Sequence, residues 1–256
     1  MAELAIYQFP CLSDNYGVLI HDPEKKVTAS IDAPETQAVR KALAETGWTL
    51  THILTTHYHA DHTDGNLDLK EDTGCTIVGP KNEADRVRGI DVKVGDGDTV
   101  KFGSFTANVF DTPGHTAGHI TYWFPEAKVA FAGDTMFALG CGRLFEGDAK
   151  TMWNSLSKLI ALPPETTVYC GHEYTQSNAD FALTVEPGNA ALQARAEEVR
   201  ESRAKGEPTL PTTIARELET NPFLRANSSE IRANLDMEDA EDWEVFGEVR
   251  RRKDNS

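Results

Sequence analysis

The segment Thr56-His57-Tyr58-His59-Ala60-Asp61-His62 restricts this chain more than any other stretch. It follows directly on the apolar, β-branched run from His52 to Thr55, which reads as a strand. In an extended segment, residues two apart share a side, so the imidazoles of His57 and His59 project together and can share a metal. Asp61 and His62 come where the chain turns toward a helix and point to a neighbouring position. Four metal-binding side chains in six positions fit ligation far better than a solvated surface pair.

Three further donors stand in the same kind of place. His115 follows the strand from Phe105 to Asp111 across Thr112-Pro113-Gly114, Asp134 follows Val129 to Ala132 across Gly133, and His172 follows Val168 to Cys170 across Gly171. Open-sheet proteins gather ligands at strand ends, and separate loops of this kind converge on one rim. If Asp134 bridges, two metals each receive four protein donors. His57, His59, His115 and Asp134 serve one; Asp61, His62, His172 and Asp134 serve the other. His21, His52 and His119 have no place in this scheme and read as ordinary strand histidines, with His119 in position to orient His115 from behind. Cys141, between Gly140 and Gly142, reads as a buried, inert thiol rather than a ligand.

Between Leu4 and about Val129 short β-branched and aromatic runs alternate with Gly, Asp and Pro, and two helices are expected, at Glu35 to Thr46 and at Asn66 to Thr73. Strands at Lys128 to Ala132 and Thr167 to Cys170 flank a helix at Thr151 to Ala161, which stops before Pro163-Pro164. After Tyr174 the strand signals end. Ala179 to Thr184, Ala190 to Lys205, Thr213 to Glu219 and Glu238 to Arg252 read as helices, broken at Pro187-Gly188, Gly206-Glu207-Pro208 and Asn221-Pro222. The expected organisation is α+β: a strand-rich domain over residues 1–173 and a smaller all-helical domain over 174–256.

Charge narrows the partners. Against 41 Asp and Glu stand 25 Lys and Arg, a formal net charge of -16. A field of that sign repels phosphate backbones, so nucleic acid is excluded as a partner. Met1 to Ile20 has no basic start and is interrupted by Pro10, Asp14 and Asn15, so neither a signal peptide nor a membrane span is expected there. Four dispersed cysteines without a C-x-x-C pair fit a reducing compartment, and a cytoplasmic monomer is the expectation.

The His57 to His62 motif followed in order by His115, Asp134 and His172 resembles the metallo-β-lactamase superfamily. Within it the chain is similar to the glyoxalase II, or hydroxyacylglutathione hydrolase, family. The similar segments are Gly133-Asp134-Thr135-Met136-Phe137, Gly140 to Gly147, Cys170-Gly171-His172-Glu173-Tyr174-Thr175, Val185 to Asn189 and Asn221 to Arg225. The resemblance implies an αβ/βα four-layer sandwich with the metals at one edge, followed by the helical domain, which helps to hold glutathione. It implies glutathione contacts at Arg143, Phe145, Tyr174, Arg250 and Lys253. Arg143 stands where some members have Lys, and Phe145 where some have Tyr, so a phenolic hydrogen bond is lost there.

The implied reaction is hydrolysis of S-D-lactoylglutathione to D-lactate and glutathione, the second step of methylglyoxal detoxification. Two divalent ions supply a bridging hydroxide near neutral pH, with Asp61 and Asp134 as the carboxylates of the catalytic centre. A carboxylate on a dication is a poor proton acceptor, so Asp61 is assigned to metal binding rather than to general-base work. Zinc suits the His-rich set, and thiolate-free His/Asp ligation also admits iron or manganese. The alternative is a glutathione persulfide dioxygenase of the same fold, which uses a single iron.

Overall fold

Short β-branched runs pair mostly with their sequence neighbours through the first half of the chain. The computed structural model describes residues 3–256; Met1 and Ala2, the start of the expected catalytic domain, lie outside the described residues. β1 (Ala5–Cys11), β2 (Asn15–Asp22) and β3 (Val27–Ile31) follow one another across turns and pair antiparallel, with Ile6 opposite Ile20 and Ile20 opposite Ala29. α1 (Thr36–Thr46) then crosses over to β4 (His52–Leu54), which runs parallel to β3. α2 (Ala60–Thr63) and α3 (Asn66–Thr73) cross over to β5 (Thr76–Pro80), and β6 (Val92–Val94) completes a six-stranded sheet in sequence order.

The two faces of this sheet bury different residues. Leu19, Ile53 and Ile77 pack with Val39 and Ala42 of α1 and Leu69 of α3. Their neighbours Ile20, Leu54 and Val78 alternate to the other face and are also buried, which is why these strands read as nearly continuous apolar runs. β7 (Thr99–Phe102), β8 (Phe105–Asp111), β9 (Ile120–Phe124) and β10 (Val129–Phe131) form an antiparallel meander. Tyr122 of β9 donates its hydroxyl to the Thr55 carbonyl at 3.0 Å, and His52 of β4 meets Phe102 of β7 edge-on at 5.8 Å. These contacts join the second layer of strands to the first.

The chain divides into two compact units, the first running to Asp111 and including Thr116–Gly133, the second made of Thr112–His115 and Asp134–Ser256. In the second, β11 (Met136–Phe137) and β12 (Gly140–Cys141) form a short hairpin ahead of α4 (Ala149–Ile160), which Asp148 caps by accepting from the Thr151 amide at 2.7 Å. β13 (Thr167–Tyr169) leads into α5 (Thr175–Val185) and α6 (Ala190–Ala204), packed through Ala179, Ala182, Leu192 and Ala196. β14 (Thr212–Thr213) pairs antiparallel with β13, and α7 (Ile214–Thr220), α8 (Ser229–Leu235) and α9 (Asp242–Asp254) follow.

A buried ion pair organises this unit. Arg195 of α6 pairs with Glu217 of α7, and its guanidinium also reaches Thr212 and Thr220. The other Glu217 oxygen accepts from the Leu139 amide at 2.8 Å and from Asn221 at 2.9 Å. With both terminal nitrogens of the guanidinium and both carboxylate oxygens partnered, the desolvation cost of burying both charges is offset. Asn221 and Asn178 donate to carbonyls of the β11–β12 hairpin, at Gly140 and Ala138. The hairpin is thus fastened from the helical side, and it leads directly into the Cys141–Gly142 turn beside Asp134.

Among the described residues no helix is long and apolar enough to cross a membrane. The four cysteines are free and buried, and burial pushes the Cys141 thiol up to about 11 despite the nearby Arg250, as expected of an inert thiol. Elements not expected from the sequence are β6, the β11–β12 hairpin, β14, α2 and α8. α5 and α4 also begin earlier than expected, at Thr175 and Ala149.

Candidate metal centre

β4 ends where its parallel neighbour β3 ends, and this brings Asp32 beside Thr56. Asp32 has a left-handed backbone, φ 56°, which Asp tolerates better than most residues. One carboxylate oxygen accepts from the Thr56 amide at 2.6 Å; the other accepts from the Thr56 hydroxyl at 2.9 Å and from His62 Nδ1 at 2.8 Å. The Thr56 hydroxyl, having given its proton to Asp32, accepts from His57 Nδ1 at 3.0 Å.

One carboxylate therefore sets the tautomer of two histidines. With the proton held on Nδ1 in both, His57 and His62 each present an Nε2 lone pair, the form a cation requires. His57 Nε2 lies 3.1 Å from His59 Nδ1, and the His57 and His62 rings are 4.1 Å apart. His59 is the N-cap residue of α2, so Asp61 and His62 fall in the first turn of that helix. Asn15 of β2 donates to the Asp61 carboxylate at 3.1 Å and to its carbonyl at 3.3 Å, and Asp61 Oδ2 stands 3.7 Å from His62 Nε2. The four donors of the first unit thus lie side by side, with the His57 ring 4.7 Å from that of His59 and 4.1 Å from that of His62.

His119 was expected to be an ordinary strand histidine or to serve His115. It is buried and stacks on His57 with centroids 4.8 Å apart, so it is the His57 ring that it steadies. Asp32 and Asn15 are the functional residues that sequence reasoning missed. Their roles depend on which strands lie side by side, and no spacing along the chain signals them.

The second unit brings His115, Asp134 and His172 together. Gly114, at φ 142°, turns the chain after β8, and its carbonyl accepts from the Gly147 amide at 3.1 Å. His115 Nδ1 donates to the Arg143 carbonyl at 3.0 Å, which leaves Nε2 as the lone pair, 3.5 Å from Asp134 Oδ2. His172 Nε2 is 3.3 Å from the same oxygen. All three residues are at most 5% exposed. Gly142 is required here, since a Cβ would lie 2.0 Å from the Asp134 carbonyl. The donor set of each unit fits a cation: His57, His62 and His115 have their Nδ1 protons held from behind, and carboxylate oxygens stand close to the Nε2 atoms of His62 and His115.

The expected glutathione contacts all fall in this second unit. Phe145 is 62% exposed and its ring lies 5.2 Å from that of His115; Tyr174 stacks flat on His172 at 4.7 Å. Arg250 of α9 is buried, donating to the Cys141 carbonyl at 2.9 Å and pairing with Asp254 at 2.8 Å. Exposed Arg143 approaches the same Asp254 at 4.0 Å. Lys253 donates to the Ser177 carbonyl and hydroxyl at 2.9 and 2.8 Å, and burial together with Arg250 and Arg143 holds its pKa below the usual lysine range. The adjacent Arg251 and Arg252 pair with Glu248 of their own helix.

Comparison with known proteins divides the chain at 172/173, later than the boundary between the compact units. Residues 28–172 match the family model of the metallo-beta-lactamase superfamily, and residues 173–256 match that of the hydroxyacylglutathione hydrolase C-terminus. Proteins named hydroxyacylglutathione hydrolase from Brucella ovis and Brucella abortus are each 58% identical over 252 residues, covering 98% of this chain and 98% of theirs. Among solved structures, ETHE1 from Myxococcus xanthus superposes with a TM-score of 0.70 at 30% identity, over 96% of this chain and 90% of that one. The BLEG-1 B3 metallo-beta-lactamase shares the fold at 22% identity, with a TM-score of 0.66 over 86% of this chain and all of its own. With both family models and near-full-length relatives in agreement, the chain has the metallo-β-lactamase fold with a C-terminal helical region and belongs to the hydroxyacylglutathione hydrolase family.

Proposed function

We propose that the chain hydrolyses S-(2-hydroxyacyl)glutathione thioesters, S-D-lactoylglutathione first among them, to the 2-hydroxy acid and glutathione. Divalent-metal binding goes with the superfamily and with the His and Asp clusters. The finer reading is a binuclear zinc centre in which His57, His59 and His115 hold one ion, Asp61, His62 and His172 hold the other, and Asp134 serves both. The observation that carries it is Asp134 Oδ2 standing between His115 and His172 at 3.5 and 3.3 Å. A carboxylate oxygen this close to imidazole nitrogens of two different loops is placed so that it could serve cations held by either histidine.

Divalent ions held by these residues would bring the pKa of bound water toward neutrality and would polarise the thioester carbonyl. The chain supplies the rest. Asn15 and Asp32 keep Asp61, His57 and His62 in donor form, while Phe145 and Tyr174 flank the donors with exposed aromatic surface. Arg143, Arg250 and Lys253, with Asp254 as the anion between them, give a net positive group suited to the carboxylates of a tripeptide. Residues 1–173 then form the catalytic domain and 174–256 the glutathione-binding domain, with Asp134 to Glu173 belonging to catalysis although they pack in the second compact unit. We place the enzyme in the cytoplasm as a monomer.

One assay tests the reading against the single-iron dioxygenase, which the 58% identical hydrolases disfavour. Purified protein is given S-D-lactoylglutathione, with loss of the thioester followed before and after chelation, and separately glutathione persulfide with oxygen uptake recorded. Metal-dependent thioester loss without oxygen uptake is expected. Oxygen uptake with the persulfide and an intact thioester would overturn it.

A further inference from the structure

Behind the Thr56–His59 loop lies a carboxylate that no metal-binding motif includes. Glu83 ends the short turn after β5 and is 6% exposed. Its Oε1 accepts from the Tyr58 amide at 2.9 Å and its Oε2 from the Gly118 amide at 2.9 Å. These two amides belong to different segments. Tyr58 sits between His57 and His59, and Gly118 immediately precedes His119, whose ring stacks on His57. A Cβ on Gly118 would come within 2.8 Å of the Glu83 side chain, so glycine there permits the close approach.

The same turn holds the loop a second time. Three residues on, the guanidinium carbon of Arg86 lies 3.2 Å from the centroid of the Tyr58 ring, and that ring meets His59 edge-on with centroids 4.8 Å apart. Glu83 therefore grips the backbone between the two histidines, and Arg86 grips the side chain that borders one of them. A buried carboxylate accepting two charge-assisted bonds from backbone amides is stiffer than a neutral contact, and its negative charge favours a cation on the far side of the loop.

We propose that Glu83, supported by Arg86, is a positioning residue for the metal centre, holding the His57–His59 loop and the His119 turn at the spacing in which these imidazoles receive a divalent cation. It rests on the metal centre proposed above, and the wild-type protein tests that centre independently. In Glu83→Gln one oxygen still accepts, while the new amide group sets a donor against a backbone N–H. The dissociation constant for Zn2+, measured by competition with a chromogenic chelator, should rise about 10- to 100-fold, the range for loss of a partner behind a metal ligand. The visible spectrum of the Co2+-substituted protein should change, and the thermal midpoint of the metal-free protein should fall only by the cost of one buried amide left without its acceptor. Should Glu83→Gln fail to fold, Arg86→Ala, at an exposed position, decides: a several-fold weaker Zn2+ affinity with an altered cobalt spectrum supports the brace. Wild-type affinity and spectrum in the variants overturn it, as does a lower metal-free midpoint with unchanged affinity, which would make Glu83 a fastener of the fold alone. Wild-type protein that takes up no metal overturns the centre and the brace with it.

Discussion

Asp134 and Asp32 are both buried carboxylates at strand ends, and their surroundings give them different work. Asp32 is consumed by hydrogen bonds from Thr56 and His62, so its charge acts through the histidines it orients. Asp134 Oδ2 stands 3.5 and 3.3 Å from the Nε2 atoms of His115 and His172, so in the proposed centre its charge would serve the cations. This distinction predicts unequal effects of removing single donors. Replacing His172 by Ala takes a donor from one ion only, and protein dialysed against limiting zinc should retain about one of its two ions. Asp134→Ala takes a donor from both and should lower retention of each, leaving fewer than about one ion per chain. Metal analysis of the two variants side by side checks this. Equal, small losses would show that Asp134 is not shared.

At the level of elements, what the sequence disclosed and what it concealed have separate physical causes. The donor segments were legible because each sits just past an apolar strand, three of them across a glycine turn, and local alternation reports strands reliably. β6 escaped because its three residues include exposed Val92 and Lys93, and the β11–β12 hairpin because Asn178, Asn221 and Glu217 hold it from far along the chain. β14 is a pair of threonines that become a strand only by meeting β13. The basic end of α9 posed the same difficulty. Read along the sequence, Arg250 and Lys253 are equivalent cations; in the fold, Arg250 is buried against a carbonyl 109 residues away and Lys253 lies at the surface of α5. Their replacements should therefore differ. Lys253→Ala removes a cation remote from the scissile bond, so KM for lactoylglutathione should rise about tenfold to a hundredfold with kcat unchanged, from ~1.5–3 kcal/mol for a charged hydrogen bond. Arg250→Ala should raise KM as well and also lower the thermal midpoint, because the Cys141 carbonyl and Asp254 lose a buried partner at a cost of about 1–3 kcal/mol. A Lys253→Ala enzyme with an unaltered KM would reduce this lysine to a tether for α5.

For the whole molecule, the proposed centre implies that stability and metal supply are linked. An unfolded chain offers no assembled donor set, so metal would bind the native state almost exclusively. Burying His57, His62, His115, Asp134 and His172 together costs solvation that the cations offset. With free metal at a hundred times the dissociation constant, each site adds about 2.7 kcal/mol. At roughly 2–4 °C per kcal/mol for a chain of this size, stripping one ion should lower the thermal midpoint by roughly 5–10 °C, and stripping both by about twice that. Calorimetry at a series of buffered zinc concentrations should show the midpoint climbing steadily with the logarithm of free zinc, and the Asp134→Ala protein should respond least. A midpoint that is the same with zinc and with excess chelator would mean that the seven donors do not close on metal in the folded chain, whatever their positions at the strand ends.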